Sequence, residues 1–176
     1  ISSKKVVGFG GVRVEQTKQG FKINTIYPGN INGVDKNYTD VLPSVQVKYK
    51  LNYRMDIRGS YFKSISRPNY YELVPYNILS NSTANSEQGN PYLNHSVADN
   101  YDVRFEFFPG GEEQFFIGGF YKSIQDPIEY QYVNGTSYKP VNLGTATLYG
   151  GDVVFTKYVG NLALPGNYEY IYYKTS

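Results

Sequence analysis

The stretch YDVRFEFFPGGEEQFFIGGFYKSIQ runs from Tyr101 to Gln125. Its first arm alternates with period two. Tyr101, Val103, Phe105 and Phe107 fall on one side of an extended chain, and Asp102, Arg104 and Glu106 on the other. A tight turn over Pro109–Glu113 returns the chain through a second alternating arm. Pairing outward from that turn sets Phe107 opposite Phe115, Phe105 opposite Ile117, Val103 opposite Gly119 and Tyr101 opposite Tyr121. One face of the hairpin is then apolar and the other polar. A half-buried soluble strand alternates in the same way, so strand length and connections must decide between water and lipid.

Two more hairpins follow the same rule. S-V-Q-V-K-Y-K-L (44–51) places Val45, Val47, Tyr49 and Leu51 on one face. Across the turn at Asn52–Arg54, Leu51 meets Met55, Tyr49 meets Ile57, Val47 meets Gly59, Val45 meets Tyr61, and on the other face Lys50 meets Asp56. In the third hairpin Phe155 faces Gly166, Val153 faces Tyr168, Gly151 faces Tyr170 and Tyr149 faces Tyr172. A glycine opposite a large ring is aromatic cover for a weak strand position.

The residues predict seven strands, over 4–16, 41–51, 55–66, 99–108, 114–125, 144–158 and 162–174. Most run about 10 to 14 residues, against ~5–6 in soluble sheets and ~9–11 for a tilted bilayer crossing. The connections alternate short and long: 52–54, 109–113 and 160–161 are turns, while 17–40, 67–98 and 125–142 are long. Outer-membrane barrels have short periplasmic turns and long external loops. The polar faces carry Lys48, Arg58, Asp102, Arg104, Glu106, Asp152 and Glu169. Each would cost ~2–4 kcal/mol against lipid at mid-bilayer and little against a wet lumen. Lys157 is the one outward charge on this reading, near the periplasmic end where it can snorkel. The fold class is therefore all-β, an antiparallel transmembrane β-barrel segment.

Composition narrows the chemistry. A net charge of +2 gives no ground for a nucleic-acid partner. The absence of cysteine removes disulfides, thiolate metal sites and a cysteine nucleophile. Tyrosine occurs 20 times and phenylalanine 10 times, which suits strands and surfaces that are apolar at one end and wet at the other. No apolar run approaches the ~20 residues of a membrane helix. No signal peptide opens the chain, which begins at Ile1 almost inside a strand pattern, and a fragment of a longer protein is expected.

SISRPNYYELVPY (64–76), GNPYLNHSVADNYDVRFEFFPGGEEQFFIGGFYKSIQDPIEY (89–130) and NLGTATLYGGDVVFTKYVG (142–160) resemble, in order as well as wording, the barrel region of TonB-dependent outer-membrane receptors. The resemblance is strongest to the Bacteroidetes-type receptors and covers roughly Val6 to Tyr173. It implies a barrel of about 22 strands around an N-terminal plug. It also implies outer-membrane lipid as surroundings, active uptake of a small scarce nutrient (an iron chelate such as a siderophore, a vitamin or a glycan), and energy from a TonB complex that contacts the N-terminal region. In the glycan-importing branch a surface lipoprotein caps the barrel. On this reading residues 1–176 are part of the barrel domain, with the plug and the final strands lying elsewhere. One wording departs from the family: Asn94-His95-Ser96-Val97 stands where P-E is common.

The resemblance gives the long 67–98 segment a place as an external loop, leaving the membrane at Arg67-Pro68, where a proline suits a strand end. The candidate ligand-binding residues are Arg67, Asn69, Tyr70, Tyr71, Tyr76 and Tyr92 there, and Tyr130 and Tyr132 in the next loop. Their rings can stack on a ligand; the competing reading is that they anchor at the interface or pack loop on loop. His95, the only histidine, reads as a loop residue, Glu112-Glu113 as turn solvation and Asp126-Pro127 as a strand end. Asp35, Asp40 and Glu87 lack calcium-loop spacing. Asn81-Ser82-Thr83 is a glycosylation acceptor by pattern only. The glycine-rich GFGGV (8–12) lies within a strand rather than before a helix. No catalytic constellation, metal set or cofactor motif stands out, so the chain reads as a binding and transport protein, not an enzyme. Two other readings fit the pattern: a passive porin or adhesin barrel, and a soluble glycan-binding β-sandwich.

Overall fold

The computed structural model describes residues 5–22, 33–75, 77–79, 86–110, 112–133, 137–160 and 162–175. Seven strands form one antiparallel meander: β1 (Val6–Lys22), β2 (Gly33–Lys50), β3 (Met55–Ser66), β6 (Ser96–Phe107), β7 (Gln114–Gln125), β10 (Thr145–Val159) and β11 (Leu162–Thr175), hydrogen-bonded in that order. Between β3 and β6 lie a one-turn helix α1 (Tyr70–Leu73) and the short strands β4 (Asn77–Leu79) and β5 (Ser86–Gln88). Between β7 and β10 lies the hairpin β8 (Ile128–Val133) and β9 (Ser137–Asn142). The seven long strands are the seven expected, and each hairpin register within β2–β3, β6–β7 and β10–β11 is the expected one.

Because every neighbouring pair keeps register, single rows of side chains cross the sheet. Val45, Tyr61, Tyr101, Tyr121, Tyr149 and Tyr172 make one outward row, and Tyr49, Ile57, Phe105, Ile117, Val153 and Tyr168 another. Val103, Ile117 and Phe155 stand 57%, 47% and 45% exposed. The buried hydrophobic residues among those described are Leu42, Leu73, Leu93 and Ala146. Among the described residues no second layer packs against the apolar face, so the sandwich reading is set aside.

The outward apolar run shifts along the strands as the sheet is crossed. It is centred on Gly10 in β1, which shares a row with Tyr172, but on about Tyr168 in β11, four to five residues further in. A drift of ~15 Å over six spacings of ~4.8 Å makes an angle of roughly 30°, close to the strand tilt of closed barrels. Only tilted strands crossing a slab require an oblique band.

The inner face is built from rows of alternating sign. Lys48, Arg58 and Arg104 sit directly opposite one another, and so do Asp56 and Glu106 one row away. Like charges in register repel. The rows neutralise each other diagonally, with Lys48–Asp56 at 2.6 Å and Arg58–Glu106 at 3.0 Å. Asp56 thus takes Lys48 as its ion-pair partner rather than the expected Lys50. Gly118 lies between Arg104 and Asp152 in one row, and a Cβ there would come within 2.7 Å of the Asp152 carboxylate. Its missing side chain lets Arg104 approach Asp152 to 3.8 Å.

Three expectations change. Lys157 is not the only outward charge: Lys63, Asp99 and Lys174 share that face. They lie one row beyond the tyrosines, where the apolar band has ended, and Asp99 accepts from Tyr61 Oη at 2.7 Å and sits 3.6 Å from Lys63 Nζ. Glu112 and Glu113 do more than solvate a turn: Glu113 is 2.9 Å from Lys157 Nζ and accepts from Tyr158 N, while Glu112 accepts from Tyr158 Oη at 2.8 Å. The first hairpin runs on well past residue 16, with Lys22 opposite Gly33.

That extension is an arm. β2 pairs with β3 only over Ser44–Lys50, whereas β3 continues along β6 to Ser66. Pro43, at the parting point, has no N–H to give to a ladder.

Candidate ligand-binding surface

The two long connections beyond β3 and β7 do not stand apart. β4, β5, β9 and β8 form a second sheet in that order, and β5 meets β9 in parallel, Ser86 opposite Ser137 and Glu87 opposite Tyr138. Parallel pairing needs a long crossover, and here the crossover is the β6–β7 hairpin itself. A strand from each external loop therefore closes one small sheet at the long-loop end.

Asparagines tie the rest. Asn90 N donates to Glu72 O at 2.5 Å, and its amide donates to the carbonyl of buried Pro140 at 2.9 Å. Asn142 accepts from Asn94 N and donates to the carbonyls of Asn94 and Asp126. Asp126, at φ 51°, is the described non-glycine residue with left-handed backbone, and its carbonyl also accepts from Ser96 Oγ at 2.7 Å. Asparagine suits this work because one side chain both donates and accepts.

Helix α1 sits in this frame. Asn69 N donates to Glu72 Oε2 at 2.7 Å, which fastens the first turn. Leu73 is buried, while Tyr70 and Tyr71 stand 64% and 72% exposed. Tyr130 Oη donates to Glu72 Oε1 at 3.2 Å, so the two loops meet at that carboxylate. Tyr92, two residues past Asn90, is 72% exposed. Tyr132 and Tyr138 pair ring to ring at 4.1 Å with their hydroxyls hydrogen-bonded, which with burial pushes the Tyr138 hydroxyl above the usual tyrosine range.

Tyr70, Tyr71, Tyr92 and Tyr130 therefore come together around Glu72 and Asn90, with Tyr132 along the same hairpin. Tyr76 and Asn81-Ser82-Thr83 lie outside the described residues. Arg67 is drawn elsewhere: its guanidinium pairs with Glu15 and its Nε donates to Thr17 Oγ1 at 3.0 Å. Asn69 serves the helix through its backbone. Glu72, Asn90, Tyr138 and Asn142 were not singled out by sequence; the density of asparagine around the tyrosines is the signal that marks them.

The loop also wedges into the parting of the arm. Gln19 Nε2 donates to Pro68 O at 2.9 Å and Lys36 Nζ to Leu93 O. His95 stacks on Tyr38 at 4.0 Å and meets Asp40 at 2.9 Å. A cleft of about 500 Å³ opens beside them, lined among others by Lys36, Asn94 and Asp126. His95, expected as a loop residue, is thus a fastening for β2. Among the described residues no three histidine or acidic side chains gather as a metal site.

Residues 2–176 match the profile of the Outer membrane protein beta-barrel family, and the chain belongs to it; its place is the outer membrane of a Gram-negative cell. No curated protein sequence matches the chain. Among solved structures it is similar to the copper transporter OprC at TM-score 0.75 and 17% identity, over 97% of this chain and 26% of that one. It is similar to the siderophore receptor PirA from Pseudomonas aeruginosa at 0.69 and 15%, over 97% of this chain and 34% of that one. The FrpB iron transporter from Neisseria meningitidis gives 0.69 and 14%, over 99% and 24%. At such identities the likeness is one of fold. The chain spans about a quarter to a third of the length of these proteins.

Proposed function

We propose that this chain is part of the barrel wall and external loops of a TonB-dependent receptor of the Bacteroidetes type, which actively imports a scarce nutrient: an iron chelate, a vitamin or a glycan. Residues 1–176 form a portion of its barrel domain; a plug, the TonB-contact segment and further strands belong to the rest of the protein. A surface lipoprotein is a candidate partner at the long-loop end. The observation that carries the reading is the joining of two external loops into one sheet, with Tyr130 of one loop hydrogen-bonded to Glu72 of the other, beside the exposed Tyr70 and Tyr71. A passive pore has no need of so fixed a surface, and ordered loops are commonly the functional ones. The fold likeness to iron and copper transporters supports the same reading.

The test is nutrient uptake by cells that carry the full-length protein, with and without a working TonB system. Uptake lost in both the TonB-deficient strain and a Tyr70→Ala/Tyr71→Ala/Tyr92→Ala variant, with the barrel still assembled, is the expected result. Uptake that persists without TonB would make the protein a passive pore.

A further inference from the structure

The outward face of the wall carries its charge unevenly. At the turn end Lys157 points outward, and Glu113 at 2.9 Å neutralises it. At the loop end Lys18, Lys22, Lys63 and Lys174 share the outward face: Lys18 and Lys22 have the strand parity of Val12 and Val14, Lys63 that of Tyr61, and Lys174 that of Tyr172. Two carboxylates stand among them. Asp99 is taken by Lys63 and by Tyr61 Oη, and Asp35 lies on the arm opposite Gly20. Among the described residues none of Lys18, Lys22 and Lys174 forms an ion pair, and all three are exposed. The external loop does not take them, because its fastenings reach Glu15, Thr17, Gln19, Lys36, Tyr38 and Asp40, which share the opposite face of the arm.

Height above the apolar band tells what these lysines meet. The band ends at Val14 on β1 and at Tyr172 on β11. At ~3.3 Å per residue, Lys63 and Lys174 stand about 7 Å beyond it, Lys18 about 13 Å and Lys22 about 26 Å along the strand. A phospholipid headgroup layer is only ~5–8 Å thick on each side. Lys63 and Lys174 fit that layer, and in their row Ser123 and Thr147 add hydroxyls between Asp99 and Lys174. Lys18 and Lys22 overshoot it, even after a tilt of roughly 30° shortens their rise. A fringe this tall suits a lipid whose anionic groups continue well above its acyl chains. The outer leaflet of a Gram-negative outer membrane offers one, lipopolysaccharide, with phosphates both at the acyl anchor and along the sugars above it.

We infer that the outward lysines of the loop end, Lys18 and Lys22 on the arm and Lys174 on β11, dock the phosphorylated headgroup of lipopolysaccharide. This contact lies on the outer wall, apart from the tyrosine surface, and stands whatever the protein imports. The experiment titrates the purified full-length protein in nonionic detergent with lipopolysaccharide, intact or phosphatase-treated, and with phosphatidylglycerol, and reads bound lipid by native mass spectrometry. Intact lipopolysaccharide should bind at least about tenfold more tightly than the treated form. Lys174→Gln should weaken it about fivefold and Lys18→Gln/Lys22→Gln about tenfold or more, with the barrel still folded by its heat-dependent gel mobility. Lys157→Gln, at the turn end, should leave it unchanged. Phosphatidylglycerol binding should respond to Lys174→Gln and not to the arm pair, because its headgroup is too short to reach the arm. Equal binding of the phosphatase-treated form, or no binding of the intact form, would overturn the inference. So would intact binding that ignores all three substitutions, or phosphatidylglycerol binding that depends equally on Lys18 and Lys22.

Discussion

Arg58 and Glu106 show how single residues answer to the wall they stand in. Glu106 is 5% exposed and its Oε2 has no partner, so its one ion pair at 3.0 Å carries most of its compensation. Arg58→Ala should destabilise the barrel by about 1–2 kcal/mol, less than a fully buried pair would lose because Arg58 itself is partly exposed. Arg13→Ala, at a guanidinium 70% exposed, should cost under about 1 kcal/mol; urea unfolding in micelles compares the two. On the other face, Val103→Arg places a charge in the apolar band and should cost about 2–4 kcal/mol, read as slower and incomplete insertion into vesicles. At the turn, the Lys157 hydrogen bond, then that of Tyr158 N, holds the Glu113 carboxyl below its usual range. A depressed pKa means the link is present at neutral pH and is lost as pH falls through that lowered value. A carboxyl NMR titration should show Glu113 protonating below free glutamate, and Lys157→Ala should move it back toward the ordinary range, with the Tyr158 N–H still holding part of the depression.

At the scale of elements, the hairpins were legible in sequence and the arm and loop sheet were not. β6 and β7 alternate because one face meets lipid and the other water, and their register follows from a tight turn. Beyond the bilayer both faces are wet. T-K-Q-G-F-K (17–22) and D-K-N-Y-T-D (35–40) lose the alternation and read as loop, yet they pair to the end of β1. β4 and β5 are three residues each and gain their place from a strand far along the chain, which no local pattern can show. Arg67, a ligand-contact candidate by its place at the start of the external loop, is engaged instead by Glu15, 52 residues away. Of the candidate surface, the tyrosines were visible and their joining through Glu72 was not. The arm gives a prediction at this scale. Arg67→Ala removes a clamp on Glu15 and Thr17, so amide exchange should quicken over 17–22 and 33–40 while β6 and β7 keep their protection. Unchanged exchange in the arm would mean that the wedge at His95 and Tyr38 suffices alone.

For the whole molecule, the architecture depends on which face meets lipid. The oblique apolar band, the inner rows of paired charge and the gathering of loops at one end are consequences of a tilted wall with a bilayer on one side and water on the other. The chain has no cysteine, so single cysteines can be placed one at a time from 101 to 107 in a cysteine-free full-length protein and spin-labelled in bilayers. A wall with lipid on one side and water on the other gives a strict alternation: labels at Tyr101, Val103, Phe105 and Phe107 relaxed by oxygen dissolved in lipid, and labels at Asp102, Arg104 and Glu106 relaxed by a water-soluble nickel chelate. Labels at the odd positions that are shielded from both reagents would contradict it, because they would place the apolar face against protein.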